Sequence, residues 1–72
     1  MENARLTLQQ IQNLRRNISQ FRGFELSKGT GIDSARLSNI KSGNATNVLY
    51  IEALLISNYL KQDIDNMINK IA

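Results

Sequence analysis

A chain of 72 residues with a formal net charge of +3 is long enough for one small domain and no more. A core of that size is marginal and depends on close helix packing or on a partner. The absence of cysteine and histidine excludes disulfides, thiol chemistry and the usual zinc ligand sets, so neither a metal nor a cofactor is expected. No signal peptide and no apolar run near about 20 residues is present, so the expectation is a cytoplasmic protein, neither exported nor membrane-inserted. Charge is uneven along the chain: residues 1–43 carry +4 and residues 44–72 carry −1. The basic half suits a polyanion or an acidic protein surface. Ordinary solvation of a small domain accounts for it equally well.

With no proline, no repeat and no low-complexity tract, the chain reads as five helices in one all-α domain. The first spans about residues 8–21. Thr7 and Gln10 have the spacing of a capping box, and Leu6 and Ile11 that of a hydrophobic staple. Ile11, Leu14, Ile18 and Phe21 recur at helical intervals on one face, and Gly23 breaks the pattern. The second helix is short, about 24–29. Leu26 is its core anchor, Ser27 is small where helices approach, and Gly31 turns the corner. The third, about 34–42, is capped by Asp33, buries Leu37 and Ile40, and ends at Gly43.

Residues 44–47 form a polar loop, with Thr46 or Asn47 as the next cap. The fourth helix, about 48–60, has two apolar stripes. Tyr50, Ala53, Leu54, Ser57 and Leu60 form one. Val48, Ile51, Leu55 and Tyr59 form the other, rotated away from it. A surface helix needs only one apolar face, so the second is covered internally by the last helix and the N-terminal arm, or else forms a dimer or partner interface. The last helix, about 64–71, is capped by Asp63. It carries Ile64, Met67, Ile68 and Ile71 on one face, and is too short to persist without docking, most simply on the fourth helix.

The pattern Leu26, Ser27, Thr30, Gly31, Ile32, Leu37, Ile40 and Gly43, followed by a helix ending in Leu60, resembles the Cro/repressor-type helix-turn-helix family of phages and bacteria. The resemblance covers nearly the whole chain. It implies a five-helix domain in which the second and third helices form the helix-turn-helix, and the third enters the major groove of DNA. The chain departs from the family in its exposed positions. Gly23 stands where a polar phosphate-contacting residue, often glutamine, opens the second helix. Phe24 follows where an exposed polar residue is usual. Lys41 replaces a frequent glutamate, and the proline before the fourth helix is missing.

On the outward face of the third helix, Ser34, Ala35, Ser38, Asn39 and Ser42 are flanked by Arg36 and Lys41; together these seven are the candidate DNA contacts. Only Asn39 can form a bidentate contact with a base from the centre of the face. Phosphate anchoring falls to Arg15, Arg16, Arg22, Lys28, Arg36 and Lys41. Each of these is individually as well explained by solvation. Phe24 either folds back beside Phe21 or serves as an aromatic anchor for a protein.

Two functions fit these residues. One is an antirepressor, or modulator of repression, that binds a partner repressor's DNA-binding domain through Phe24, Lys28, Ser34, Ala35, Ser38 and Asn39. Small proteins of temperate phages of Gram-positive bacteria are similar in size and type. The other is a Cro-type repressor that binds double-stranded operator DNA directly as a homodimer. Both belong to a phage lysis–lysogeny switch in a bacterial host cell. The antirepressor reading is preferred because the face of the third helix is bland, Gly23 lacks a phosphate-binding side chain, and Phe24 stands beside it. No enzyme is expected: no serine has a visible base to activate it, and there is no close carboxylate pair.

Overall fold

A computed structural model describes residues 4–69. Among them the secondary structure is five α-helices: α1 (Leu8–Ile18), α2 (Gly23–Thr30), α3 (Ser34–Ser42), α4 (Tyr50–Leu60) and α5 (Ile64–Asn69). The core is drawn from all five, with Ile11, Leu14, Ile18, Leu26, Leu37, Ile40, Ala53, Ile56, Met67 and Ile68 buried together. No helix of the described residues is long and apolar enough to cross a membrane.

Local chemistry sets most boundaries. The Thr7 hydroxyl accepts the Gln10 N–H while the Gln10 side chain accepts the Thr7 N–H, at 3.2 and 2.9 Å. This reciprocal pair opens α1. Leu6 and Ile11, the expected staple, are both buried. Asp33 caps α3 by accepting the Ala35 N–H at 3.1 Å, and the Asp63 carboxylate accepts the Asn66 N–H at 3.2 Å at the start of α5. Gly31 has φ +81°, which a residue with a side chain adopts only at a cost. It lets the chain turn from α2 into α3 within residues 31–33. The Thr30 hydroxyl binds the corner from both sides, donating to the Leu26 carbonyl at 2.6 Å and accepting the Ile32 N–H at 3.1 Å.

Three boundaries differ from the sequence expectation. α1 ends at Ile18, not near residue 21. Phe21 still packs against the core, but from the following turn, so its helical spacing is a coincidence of packing. Gly23 does not interrupt a helix; it opens α2. α4 starts at Tyr50, not Val48. Its N-cap is Leu49, whose N–H is bound by the Glu52 carboxylate at 2.9 Å, so neither Thr46 nor Asn47 caps it. Residues 48–50 are instead held by the N-terminal arm. Leu6 donates to the Val48 carbonyl at 2.8 Å, Tyr50 donates to the Ala4 carbonyl at 2.7 Å, and Arg5 and Leu49 form an antiparallel bridge.

α5 packs mainly on α1 and to a lesser extent on α4. Its docking uses a row of carboxamides on α1. Asn13 is buried and donates to the Ile68 carbonyl at 2.7 Å. Asn17 donates to the Met67 carbonyl at 3.0 Å, and Gln10 to the Asn69 side chain at 2.8 Å. The Asn13 and Asn17 amides thus hold two backbone carbonyls of α5 from a neighbouring helix. Ile71, expected on the same apolar face, lies outside the described residues. Replacing Asn13 by leucine fills the same space but strands the Ile68 carbonyl. The expected loss is about 1–3 kcal/mol, measured as a lower midpoint in urea unfolding with an unchanged slope.

Candidate functional site

The candidate surface is built by α2, α3 and the corner between them. On α3 the apolar residues Leu37 and Ile40 point inward and are fully buried. Helical geometry therefore turns Ser34, Ala35, Ser38, Asn39 and Ser42 outward, and all five are exposed. On α2 only Leu26 is fully buried, and Phe24, Glu25, Lys28 and Gly29 are exposed. Gly23 lies between the two helices. A β-carbon there would meet the Ser34 carbonyl at 3.6 Å and the Ser38 N at 4.0 Å, so the position has room for a side chain that this sequence lacks.

The flanking cations are not equivalent. Arg36 is half-buried and turned to the interior. Its Nε donates to Glu52 Oε2 at 2.7 Å and its Nη2 to Oε1 at 2.8 Å, with a further bond to the Asn47 carbonyl. This forked pair joins α3 to α4. Hydrogen bonding from Arg36 holds the Glu52 carboxyl below its ordinary pKa against the opposing effect of burial, and the Leu49 N–H adds to the lowering. Arg36 is raised in turn, first by its hydrogen bond to Glu52. Lys41 is also half-buried, and its ammonium donates to the Phe21 carbonyl. Arg15 donates from Nε to the Lys41 carbonyl at 3.2 Å.

Of the six cations expected to anchor phosphate, Arg15, Arg36 and Lys41 thus make bonds within the fold. Arg36 and Lys41 leave the outward face as tie residues between elements. Arg16, Arg22 and Lys28 remain exposed. No signal in the sequence paired Arg36 with Glu52, which lies 16 positions away on another helix.

Phe24 does not fold back beside Phe21. It is 67% exposed, and the Lys28 ammonium lies over its ring, 5.9 Å from the centroid. Beside it runs an open groove of about 370 Å³ lined by Phe24, Glu25, Lys28, Gly29 and Tyr59. The floor of the groove depends on Gly29, because a β-carbon at that position would lie 2.0 Å from Tyr59 Cε1. The Tyr59 ring therefore rests directly on the glycine backbone.

The second stripe of α4 is divided between interior and surface. Val48 precedes the helix and is fully buried by its pairing with Leu6, so it does not belong to an exposed stripe. Ile51 is half-buried. Leu55 and Tyr59 are exposed on the same face one turn apart, and Tyr59 joins that face to the groove beside Phe24. Ile56, absent from both expected stripes, is fully buried.

Comparison with protein-family models, with curated proteins and with solved structures finds no match for this chain.

Proposed function

We propose that this chain is a small helix-turn-helix transcriptional regulator of a phage lysis–lysogeny switch, acting in the bacterial cytoplasm as an antirepressor on a partner repressor's DNA-binding domain. The helix-turn-helix reading is supported by α2 and α3 meeting at the left-handed Gly31 over buried Leu26, Ile32, Leu37 and Ile40. The observation that carries a protein target is Phe24, an exposed aromatic ring at the start of α2, beside a groove that it lines with Lys28 and Tyr59. Aromatic side chains dominate protein interfaces, whereas a duplex backbone offers no pocket for one. The recognition surface is Phe24 and Lys28 from α2 with Ser34, Ala35, Ser38 and Asn39 from α3. The internal engagement of Arg15, Arg36 and Lys41 also removes cations that a DNA complex would use.

Direct operator binding by a Cro-type repressor is the second reading. It is favoured by the exposed Asn39 carboxamide, which suits adenine, and by Arg16, Arg22 and Lys28, which stay free for phosphate. Ser34, Ala35, Ser38 and Ser42 would complete that surface.

The two readings separate in one experiment. The purified protein is mixed with labelled operator-region DNA, with and without the neighbouring repressor, at low and moderate salt. Release of the repressor without binding by this protein alone is the expected result. Tight, sequence-dependent binding by this protein alone would overturn the antirepressor reading. Phe24→Ala is expected to weaken repressor binding by at least about 2 kcal/mol while leaving the far-ultraviolet circular dichroism intact. Under the second reading, Asn39→Ala would instead cost about 1–3 kcal/mol of base discrimination.

A further inference from the structure

We infer that the groove between α2 and α4 is a self-association surface, in which the α2 helices of two copies of this chain pack antiparallel across a two-fold axis. Of the four large apolar side chains exposed among the described residues, Phe24 and Tyr59 line this groove and Leu55 stands one turn before Tyr59 on α4. The choice of a second copy over another occupant follows from charge and register. Two copies that each carry +3 repel except where a contact is charge-balanced. The groove is such a place, because Glu25 and Lys28 sit one turn apart on the same exposed face of α2.

An isologous contact requires that each surface complement itself, so that what residue i makes with j, j makes with i. Antiparallel α2 helices with the axis between positions 25 and 28 place Glu25 of each copy against Lys28 of the other. The same register sets Phe24 of each copy over Gly29 of the other. There the Tyr59 ring already lies where a β-carbon of Gly29 would stand, so each Phe24 ring meets the Tyr59 ring of the other copy. One alignment thus pairs both charges and seats both aromatic rings. Leu55, one turn before Tyr59 on α4, extends the apolar contact.

The test is sedimentation equilibrium of the full chain alone at low salt, from about 10 μM to about 1 mM, the range that a small interface implies. The weight-average mass is expected to rise from the 8.1 kDa of one chain toward twice that value. Glu25→Lys and Lys28→Glu are each expected to weaken association at least about 10-fold, because each sets two like-charged pairs across the axis. An equimolar mixture of the two variants restores attraction at both pairs and is expected to associate at least as well as the wild type. A purely structural role for either residue would not be rescued by mixing. Glu25 also accepts the Arg22 N–H at 3.4 Å. If Glu25→Lys disturbs the start of α2, Lys28→Glu alone carries the test.

A mass that stays at one chain throughout would overturn the proposal. So would variants that associate like the wild type, or a mixture no better than its components. Phe24 and Lys28 belong to both this surface and the proposed repressor-binding surface, so self-association and repressor binding compete; with neither repressor nor DNA present, a monomeric result leaves the antirepressor reading standing.

Discussion

Leu26→Ala is expected to lower stability by about 2–5 kcal/mol and to leave a large fraction of the chain unfolded at 37 °C. The cost is high because Leu26 is the single fully buried side chain of α2, and α2 packs on both α3 and α4. Truncation leaves a void where three helices meet, and no second anchor is available to draw α2 inward. Domains of this size hold roughly 4–11 kcal/mol in total, so the loss takes a large share of the whole. Thermal unfolding by circular dichroism should show a midpoint lower by at least about 10 °C. Native-state amide exchange should show the loss first in α2. A midpoint within about 3 °C of the wild type would mean that α2 is held by something other than this side chain.

Glu52→Ala is expected to cost about 2–3 kcal/mol at neutral pH, more than an ordinary surface ion pair. One carboxylate makes three bonds: two with the Arg36 fork, and one with the Leu49 N–H that opens α4. Its removal unties α3 from α4 and uncaps α4 at once. The same carboxylate gives stability a pH dependence with a defined sign. Its folded pKa lies below the ordinary glutamate value of about 4.5. Between those two values the unfolded chain binds more protons than the folded one, so stability rises with pH. The contribution is complete above about pH 4.5 and is lost as pH falls through the folded value. Urea midpoints of wild type and Glu52→Gln should therefore differ most near neutrality and converge in acid. A gap that holds constant to about pH 3 would show that the charge of Glu52 is not what stabilises the fold.

The parts of the fold that were legible in the sequence are those decided within a few residues. Thr7 with Gln10, Asp33, Gly31 and Gly43 mark helix ends by local chemistry, and all four do so in the structure. The start of α4 was not legible, because Val48 is withdrawn from the helix by Leu6, more than 40 positions away. An apolar residue at that spacing reads as the first position of a stripe, and only the arm that covers it says otherwise. The same limit applies to the candidate site. The outward residues of α3 follow from its periodicity. The removal of Arg36 and Lys41 from that face depends on Glu52 and on the Phe21 carbonyl, which no spacing connects to them. Phe24 was undecided between core and surface for a similar reason: only the folded arrangement shows Phe21 against the core and Phe24 exposed.

The carboxamide row on α1 also governs the order of events in folding. Asn13 and Asn17 reach carbonyls 55 and 50 positions further along the chain, so these bonds form only after the largest loop in the molecule has closed. α5, described over Ile64–Asn69, draws its helical stability from docking. These bonds are expected to form late in folding and to break early in unfolding. Weakening them should leave the refolding rate nearly unchanged and accelerate unfolding, which is the kinetic signature of contacts made after the transition state. Gln10, Asn13 and Asn17 of the first helix would then help to set how long the molecule stays folded.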